Sequence, residues 1–530
     1  MAQIRYRANL SAKDFVFSAQ GWGRSVIMKQ YDQNFSRQIV SPTDPDKDIG
    51  IPQIYYAHNV MPCAQGFQSV GLKQIITGPG ITGNSFQILP WQNVSGASGN
   101  ILITISAKDT SNVTYNIYAS NVVTPSTWTF LQTVSIPTQY AGILFTAALI
   151  NGTTYIYTPY LECHTYDGTT WALVTFTGLV TTNVQGIISS FGYMIAYSPT
   201  SIAWSSTLSV TDFTPSLITG AGGGSVTSLR GNITQCIHHT FGFIVFSQYN
   251  AVAAVYSGNP RYPFNFREVI GASGLSPIGG QLIDLDSESG NLYALTSAGV
   301  QMVSVTQAQV IMPEVTNYLD GTRFEDFNDA TLSFTYADFA AGTIYKQLKV
   351  VADRYVVFSY AYNNPLTLTL GYTHALVYDI AMRRWGKIKF THTAAINLYK
   401  VTAAQLPENN ARAQLGFLDP FGNLFQVDFS ELATTGGTIF LGKYQHSRDR
   451  LITMQQLDVE YVQSTANLTL NVFTSLDGKT FLPPVTVPPI ANTHAPQYPM
   501  RLTGMNHSFC FQGVFKFDSM VLTYQANGRR

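Results

Sequence analysis

Carboxylates at alternate positions, Asp284-Leu-Asp286-Ser-Glu288 and the run Asp44, Asp46, Asp48, have the spacing with which loops hold calcium through oxygen. Neither run has the glycine at the sixth position and the distal Glu of a twelve-residue calcium loop, so both read as solvated turns. Gly220-Ala-Gly-Gly-Gly-Ser225 is glycine-rich enough to wrap a phosphate, but it lacks the Gly-Lys-[Ser/Thr] ending and no helical pattern follows it. It reads as a flexible connection. His238-His239 precedes a strand pattern at Phe241, and no further ligand stands at a useful spacing, so the pair reads as strand-edge histidines. Cys63, Cys163, Cys236 and Cys510 are far apart with no CxxC pair, which argues against zinc and gives little support for disulfides. Cys163 falls within the strand pattern Leu161 to Tyr166 and reads as a small buried thiol. Serine or cysteine nucleophiles meet their histidines only in space, and the sequence nominates none. The expectation is no catalytic residue, no cofactor and no metal.

Two strings share the form [Ser/Thr]-x-Asp-Gly-x-Thr-aromatic: Thr165-Tyr-Asp-Gly-Thr-Thr-Trp171 and Ser475-Leu-Asp-Gly-Lys-Thr-Phe481. Both resemble the Asp-box hairpin of sialidase-like propellers, shortened by one residue between Asp and aromatic. That box is structural: its Asp and Gly shape a turn and its aromatic packs between strands. A sialidase also needs three converging arginines with a Tyr/Glu pair. Arg230, Arg261, Arg267, Arg323 and Arg354 are present, without a signature in their spacing.

Basic residues come in pairs: Arg5 and Arg7, Arg383 and Arg384, Arg448 and Arg450, Arg529 and Arg530. Each reads as a solvated face; the terminal pairs could instead dock on an acidic neighbour or line a passage for nucleic acid, where only a ring would concentrate such weak charge. Arg5, Arg7, Trp22, Arg448, Arg450, Arg529 and Arg530 are the interface candidates.

The elements that must carry these residues are strands. Four stretches, opening near Asn151, Phe191, Phe241 and Asn291, repeat one plan of aromatic-rich strand, turn and second strand. Their starts lie about 40 to 50 residues apart, the period of a four-stranded propeller blade. Asn151-Gly152 and Asp167-Gly168 are hairpin turns that accept positive φ. Ile101 to Ile105 alternates as a strand should, and His374 to Asp379 with Trp385 to Phe390 forms another hairpin, as does Gln414 to Phe429. Thr322-Arg-Phe-Glu325 fits a capping box, and Phe324 and Phe327 would share a helical face, which predicts one or two short helices between blades.

The expected fold is therefore all-β: an extended N-terminal arm over 1–85, a β-propeller over 86–435, and a C-terminal antiparallel β-sandwich-like unit over 436–530. The arm is rich in aromatics and Ile, too apolar for a disordered tail. In the last unit Leu468, Leu470 and Val472 alternate with Thr469 and Asn471, and strands follow at Ser508 to Phe517 and Met520 to Tyr524.

Composition bounds the role. The 530 residues hold 11% charged side chains with formal net charge zero, against about 25% charged in an ordinary soluble domain. No global field steers the chain to DNA or an anionic membrane. So neutral a surface suits a subunit covered by its neighbours. The opening Met-Ala-Gln-Ile-Arg-Tyr-Arg has no apolar run, and no segment approaches 18 apolar residues. Folding in a cytoplasm without membrane insertion is the expectation.

Several strings together resemble one family. They are Ala8-Asn-Leu-Ser-Ala-Lys-Asp-Phe, Asp48-Ile-Gly-Ile-Pro-Gln-Ile-Tyr-Tyr-Ala-His-Asn-Val-Met-Pro-Cys-Ala-Gln-Gly-Phe-Gln-Ser-Val70, Ile202-Ala-Trp-Ser-Ser206 with Asp212-Phe-Thr-Pro-Ser, Gly242-Phe-Ile-Val-Phe, Tyr256-Ser-Gly-Asn, Tyr262-Pro-Phe-Asn-Phe266 and Leu457-Asp-Val-Glu. Their order is similar to that in the propeller-bearing tail nozzle, tail hub or packaged-DNA stabilisation proteins of short-tailed bacteriophages. The resemblance implies a six-fold ring of copies in the virion tail, assembled in the host cytoplasm. That ring would sit below the portal and its adaptor protein, extend the channel for double-stranded DNA, retain the genome and dock tail fibres or spikes. It implies no catalytic residues. The alternative expectation is a carbohydrate-binding or glycan-cleaving, sialidase-like propeller for receptor recognition.

Overall fold

The computed structural model describes residues 2–7, 54–63, 66–81, 83–275, 292–311, 328–329, 334–335, 345–351, 354–361, 371–381, 384–398, 415–429, 436–445, 450–462, 469–476, 482–487 and 497–529. Among the described residues the elements are strands in antiparallel sheets, with short 3-10 turns at Thr138–Tyr140 and Thr181–Asn183. The helices expected around 322–327 lie outside the described residues.

The four repeats are successive small sheets. Thr146–Ile150, Thr153–Thr158, Glu162–Tyr166 and Trp171–Val174 form one. Gly186–Ser190, Tyr193–Tyr197, Ile202–Trp204 and Gly222–Gly224 form the next. Ile233–His239, Gly242–Ser247, Ala251–Tyr256 and Phe264–Glu268 form a third. Leu292–Thr296, Gly299–Val303 and Ala308–Val310 are the described strands of a fourth. A larger sheet precedes them: Asn84–Gln92, Ser98–Lys108, Asn112–Asn121 and Thr129–Pro137. Two follow. One runs through Tyr345–Val351, Tyr355–Ala361, Tyr372–Asp379 and Arg384–His392; the other through Ala394–Asn397, Leu415–Leu418, Leu424–Asp428 and, from far upstream, Gly71–Ile76.

These sheets, blades 1 to 7 in chain order of their first strands, pack face to face in succession. First strands of neighbouring blades adjoin, as Thr146–Ile150 does Gly186–Ser190 and Tyr345–Val351 does Ala394–Asn397, so the blades converge on an axis. Ile101, Ile103 and Ile105 of blade 1 pack on Ile156 and Tyr166 of blade 2, whereas Leu102, between them, packs on Ile396, Leu398, Leu418 and Leu424 of blade 7. The alternation at 101–105 thus separates two interfaces, both buried, instead of a core from solvent. Tyr157 and Cys163 meet Ile187 and Met194 between blades 2 and 3, Tyr193 and Ile195 meet Phe243 and Val245 between 3 and 4, and Ile244 and Phe246 meet Leu292 and Ala294 between 4 and 5. Leu292–Thr296 runs beside Tyr345–Val351, and Tyr355 and Val357 pack on Leu415 and Phe417 between blades 6 and 7. The contacts return to their start, giving a propeller-like ring of seven sheets among the described residues.

Local chemistry explains the hairpins. Asn151 (φ 50°) with Gly152 (77°), and Phe191 (48°) with Gly192 (80°), have positive φ at both central positions, which matches the twist of two-residue hairpins. Between second and third strands a side-chain oxygen at the strand end accepts backbone N–H groups of the turn. Ser198 accepts from Ser201 (3.0 Å), Ser247 from Asn250 (3.0 Å), and Asp419 from Phe421 and Asn423 (2.8 Å each). Gly220 to Ser225 departs from the flexible connection expected: Gly222–Gly224 is the outer strand of blade 3, paired with Ile202–Trp204. A Cβ at Gly222 would stand 3.1 Å from the Trp204 ring and one at Gly223 2.5 Å from the Ile202 carbonyl oxygen. The glycines allow close approach to a Trp-bearing strand.

Described strands of the segment 1–85 belong to sheets made by later residues. Gly71–Ile76 completes blade 7. Val60–Cys63 and Gly66–Ser69 form a hairpin that joins the edge of blade 6 to Lys516–Arg529. Ile54–His58 pairs with Gly437–Gln445, and Ala2–Arg7 with Lys516–Arg529. The C-terminal strands make two sheets: Arg450–Val462 between Lys516–Arg529 and Gln497–Gly504, and Asn506–Gly513 between Gly437–Gln445 and Thr469–Ser475, with Val485–Val487 at the edge. Leu470 and Val472 are buried, as their alternation predicts.

Candidate functional site

In an antiparallel blade, the turns joining strands one to two and three to four leave at one end. Those joining strands two to three, and the links between blades, leave at the other. The first end is apolar. Val94, Val123, Phe191, Phe241 and Tyr262 are exposed there, with Leu208 81% and Ile218 90% exposed on the blade 3 loop. Among the described residues the other end has fewer such side chains, including Val180, Tyr249, Ile270 and Phe421.

That second end holds a pocket of about 470 Å³ between blades 2 and 3. Its wall is Tyr140, from the link after blade 1, stacked on Tyr160 with ring centroids 3.9 Å apart and planes at 18°. Tyr160 is left-handed (φ 59°), a backbone region that costs an L side chain about 1–2 kcal/mol. Its N–H donates to the Val184 carbonyl at 2.8 Å, which holds the turn. Burial, then the adjacent Tyr140, push the Tyr160 hydroxyl pKa up. The floor is buried Tyr197, and the rim carries Thr182, Asn183, Thr200 and Ser201. No described lining residue carries a formal charge. Such a surface can bind by ring stacking and neutral hydrogen bonds.

The motifs with chemical potential are structural where described. Asp167 Oδ1 accepts the N–H of Thr169 (2.8 Å) and Thr170 (2.7 Å), which holds its carboxyl below the usual range, and Gly168 has φ 100°. Trp171 stacks on His164 at 4.6 Å and donates to Gln132 Oε1 at 2.7 Å, while Gln132 donates to Glu162. The second string is described only at Ser475 and Leu476. His239 is buried and accepts the Phe241 N–H; His238 contacts the Ser189 carbonyl oxygen at 3.0 Å. Cys163, Cys236 and Cys510 are free and buried. Arg230 pairs with Glu268 at 2.8 Å and Arg354 with buried Asp379 at 2.9 Å, so these arginines are engaged within blades 4 and 6. Arg323 and both acidic runs lie outside the described residues.

The described interface candidates, Arg5, Arg7, Arg450 and Arg529, fall on the terminal sheet. Arg5 stands opposite Val521, itself opposite Asp458; Arg7 stands opposite Ser519, itself opposite Glu460. Arg450 is the register partner of Arg529. Trp22, Arg448 and Arg530 lie outside the described residues. The tyrosine-walled pocket had no sequence signal except Tyr160 in a turn, because its parts come from four separated segments.

No family model matches the chain, and no curated protein matches it. Among solved structures it is similar to the extracellular domain of the hybrid two component system BT4673 from B. thetaiotaomicron, at 11% identity and TM-score 0.39, covering 88% of this chain. The chain spans 64% of that protein's length. It is similar to the computationally designed Ika8 protein at 10% identity and TM-score 0.34, covering 67% of this chain and 99% of that one. It is also similar to exo-beta-1,3-galactanase from Phanerochaete chrysosporium at 11% identity and TM-score 0.19, covering 80% and 78%. Likeness at these levels carries no functional inference. The architecture itself is all-β, a propeller-like ring of antiparallel sheets.

Proposed function

We propose that this chain is a non-enzymatic structural subunit of a short-tailed phage tail. Copies form a ring, six-fold by the family resemblance, below the portal adaptor; it extends the DNA channel, retains packaged DNA and docks fibres or spikes. The observation that carries the reading is the apolar end of the propeller, where Phe191, Leu208, Leu217, Ile218, Phe241 and Tyr262 are each exposed on its turns. Isolated exposed apolar residues are ordinary, whereas grouped ones mark surfaces that other subunits cover. The N-terminal strands sewn into blade 7 and both terminal sheets supply stiffness between propeller and C-terminal unit.

An averaged electron cryomicroscopy map of the virion tail tests this. Six copies around a channel below the adaptor are expected, with the blade 3 loop at a subunit contact. Density at a fibre tip, or none in the particle, overturns it. The glycan-cleaving alternative finds no carboxylate among the described pocket residues.

A further inference from the structure

We infer that the pocket between blades 2 and 3 is a binding site for a neutral saccharide, a function separate from ring assembly. Three independent observations meet there. Tyr140 and Tyr160 stack at 3.9 Å, so one ring braces the other and the pair presents a rigid aromatic wall. A pyranose lays its apolar C–H face against such a ring, which supplies large contact area with little side-chain ordering.

The backbone of Tyr160 supplies the second. A left-handed Tyr at φ 59° persists only where surrounding contacts hold it. Here the retained ring is the one that walls the pocket.

The rim is the third. Thr182, Asn183 and Thr200 are exposed at the pocket, and their side chains make no hydrogen bond among the described residues, leaving two hydroxyls and an amide to meet ligand hydroxyls. Ser198, by contrast, is committed to its own turn through Ser201. The volume of about 470 Å³ falls in the range of small-ligand sites. With no lysine, arginine or histidine among the described lining residues, an acidic sugar or a phosphate has no counter-charge. With no carboxylate there, the sugar is held and not cleaved. The site is at the end where the links between blades leave, opposite the turns that carry Phe191 and Phe241.

Saturation-transfer difference NMR of the full chain with the methyl glycosides of glucose, galactose, mannose, N-acetylglucosamine and N-acetylgalactosamine, and with sialic acid, tests the site. At millimolar ligand, transfer is expected to at least one neutral glycoside and not to sialic acid. Tyr140→Ala and Asn183→Ala should each weaken that signal at least about threefold, while Leu208→Ser, at the other end, leaves it unchanged. Each variant is checked for an unshifted thermal melt, and a variant that melts early is replaced by Thr182→Val or Thr200→Val. No transfer from any neutral glycoside, stronger transfer to sialic acid, or a signal unaffected by all pocket substitutions overturns the proposal. None of these results bears on ring assembly.

Discussion

The Ser85 hydroxyl lies 2.7 Å from that of Thr393, which joins the first strand of blade 1 to the chain entering blade 7. Ser85 N–H also donates to the Pro420 carbonyl at 2.8 Å. Below these polar ties lies the apolar seam of Leu102, Leu398, Leu418 and Leu424. Leu102→Ala should therefore cost about 2–5 kcal/mol. A urea melt checks it; a cost no larger than that of Phe421→Ser, an exposed position, would deny that the seam closes the ring.

Gly99 sits beneath Trp91, whose Nε1 donates to the Ser120 carbonyl at 2.8 Å. A Cβ at position 99 would lie 1.9 Å from that same oxygen and 2.7 Å from Trp91 Nε1. Gly99→Ala should lower stability by at least about 1–3 kcal/mol and red-shift Trp fluorescence. An unaltered melt and spectrum would contradict the packing.

Stability should fall in mild acid. Burial lowers the pKa of His392 and of His507 from 6.5 to about 4. His392 donates from Nδ1 to the Phe390 carbonyl and accepts at Nε2 from Ser359, both at 2.7 Å, so its neutral form is the bonded one. The unfolded chain takes up these protons below pH 6.5 and the folded chain only near pH 4. The stabilisation is thus complete above about 6.5 and is lost progressively towards 4, on the order of 3 kcal/mol for each histidine. Melts between pH 7.5 and 4.5 check the sign. His392→Gln should flatten the slope; an unchanged slope in this variant would reject the assignment.

Three thiols should be inert in the native protein. Burial raises the pKa of Cys510 to about 12, and raises those of Cys163 and Cys236 as well. Because the thiolate is the reactive species, their labelling by an aromatic disulfide reagent should follow the rate of unfolding. Fast labelling, located by peptide mapping, would show a blade opening locally at Cys163 or Cys236, or the C-terminal sheet opening at Cys510.

The repeats between Asn151 and Val303 were legible because each blade carries its strand, turn and strand within one stretch. The seam between blades 7 and 1 was not, because Leu102 meets Leu398, Leu418 and Leu424 from far along the chain. Gly222–Gly224 was misread because a strand of glycines has no side-chain period, and its reason lies on its neighbour, Trp204. The Asp167 turn was read correctly because its bonds stay within three residues. The pocket escaped because Tyr140 is an ordinary aromatic in a link until Tyr160 is seen against it.

The strand Gly71–Ile76 leaves the ribosome roughly 350 residues before its partner Leu424–Asp428. At about 5–20 residues per second, its backbone waits roughly 20 to 70 s without that pairing. Blades 1 to 6 can form in order during this interval, but the ring locks only when blade 7 has been made. A ribosome that stalls early, or a chain cut short after blade 6, therefore yields an open arc with two sticky edges. The joining of first-made and late-made strands works as a completion check, since only a chain translated past Asp428 can close its ring.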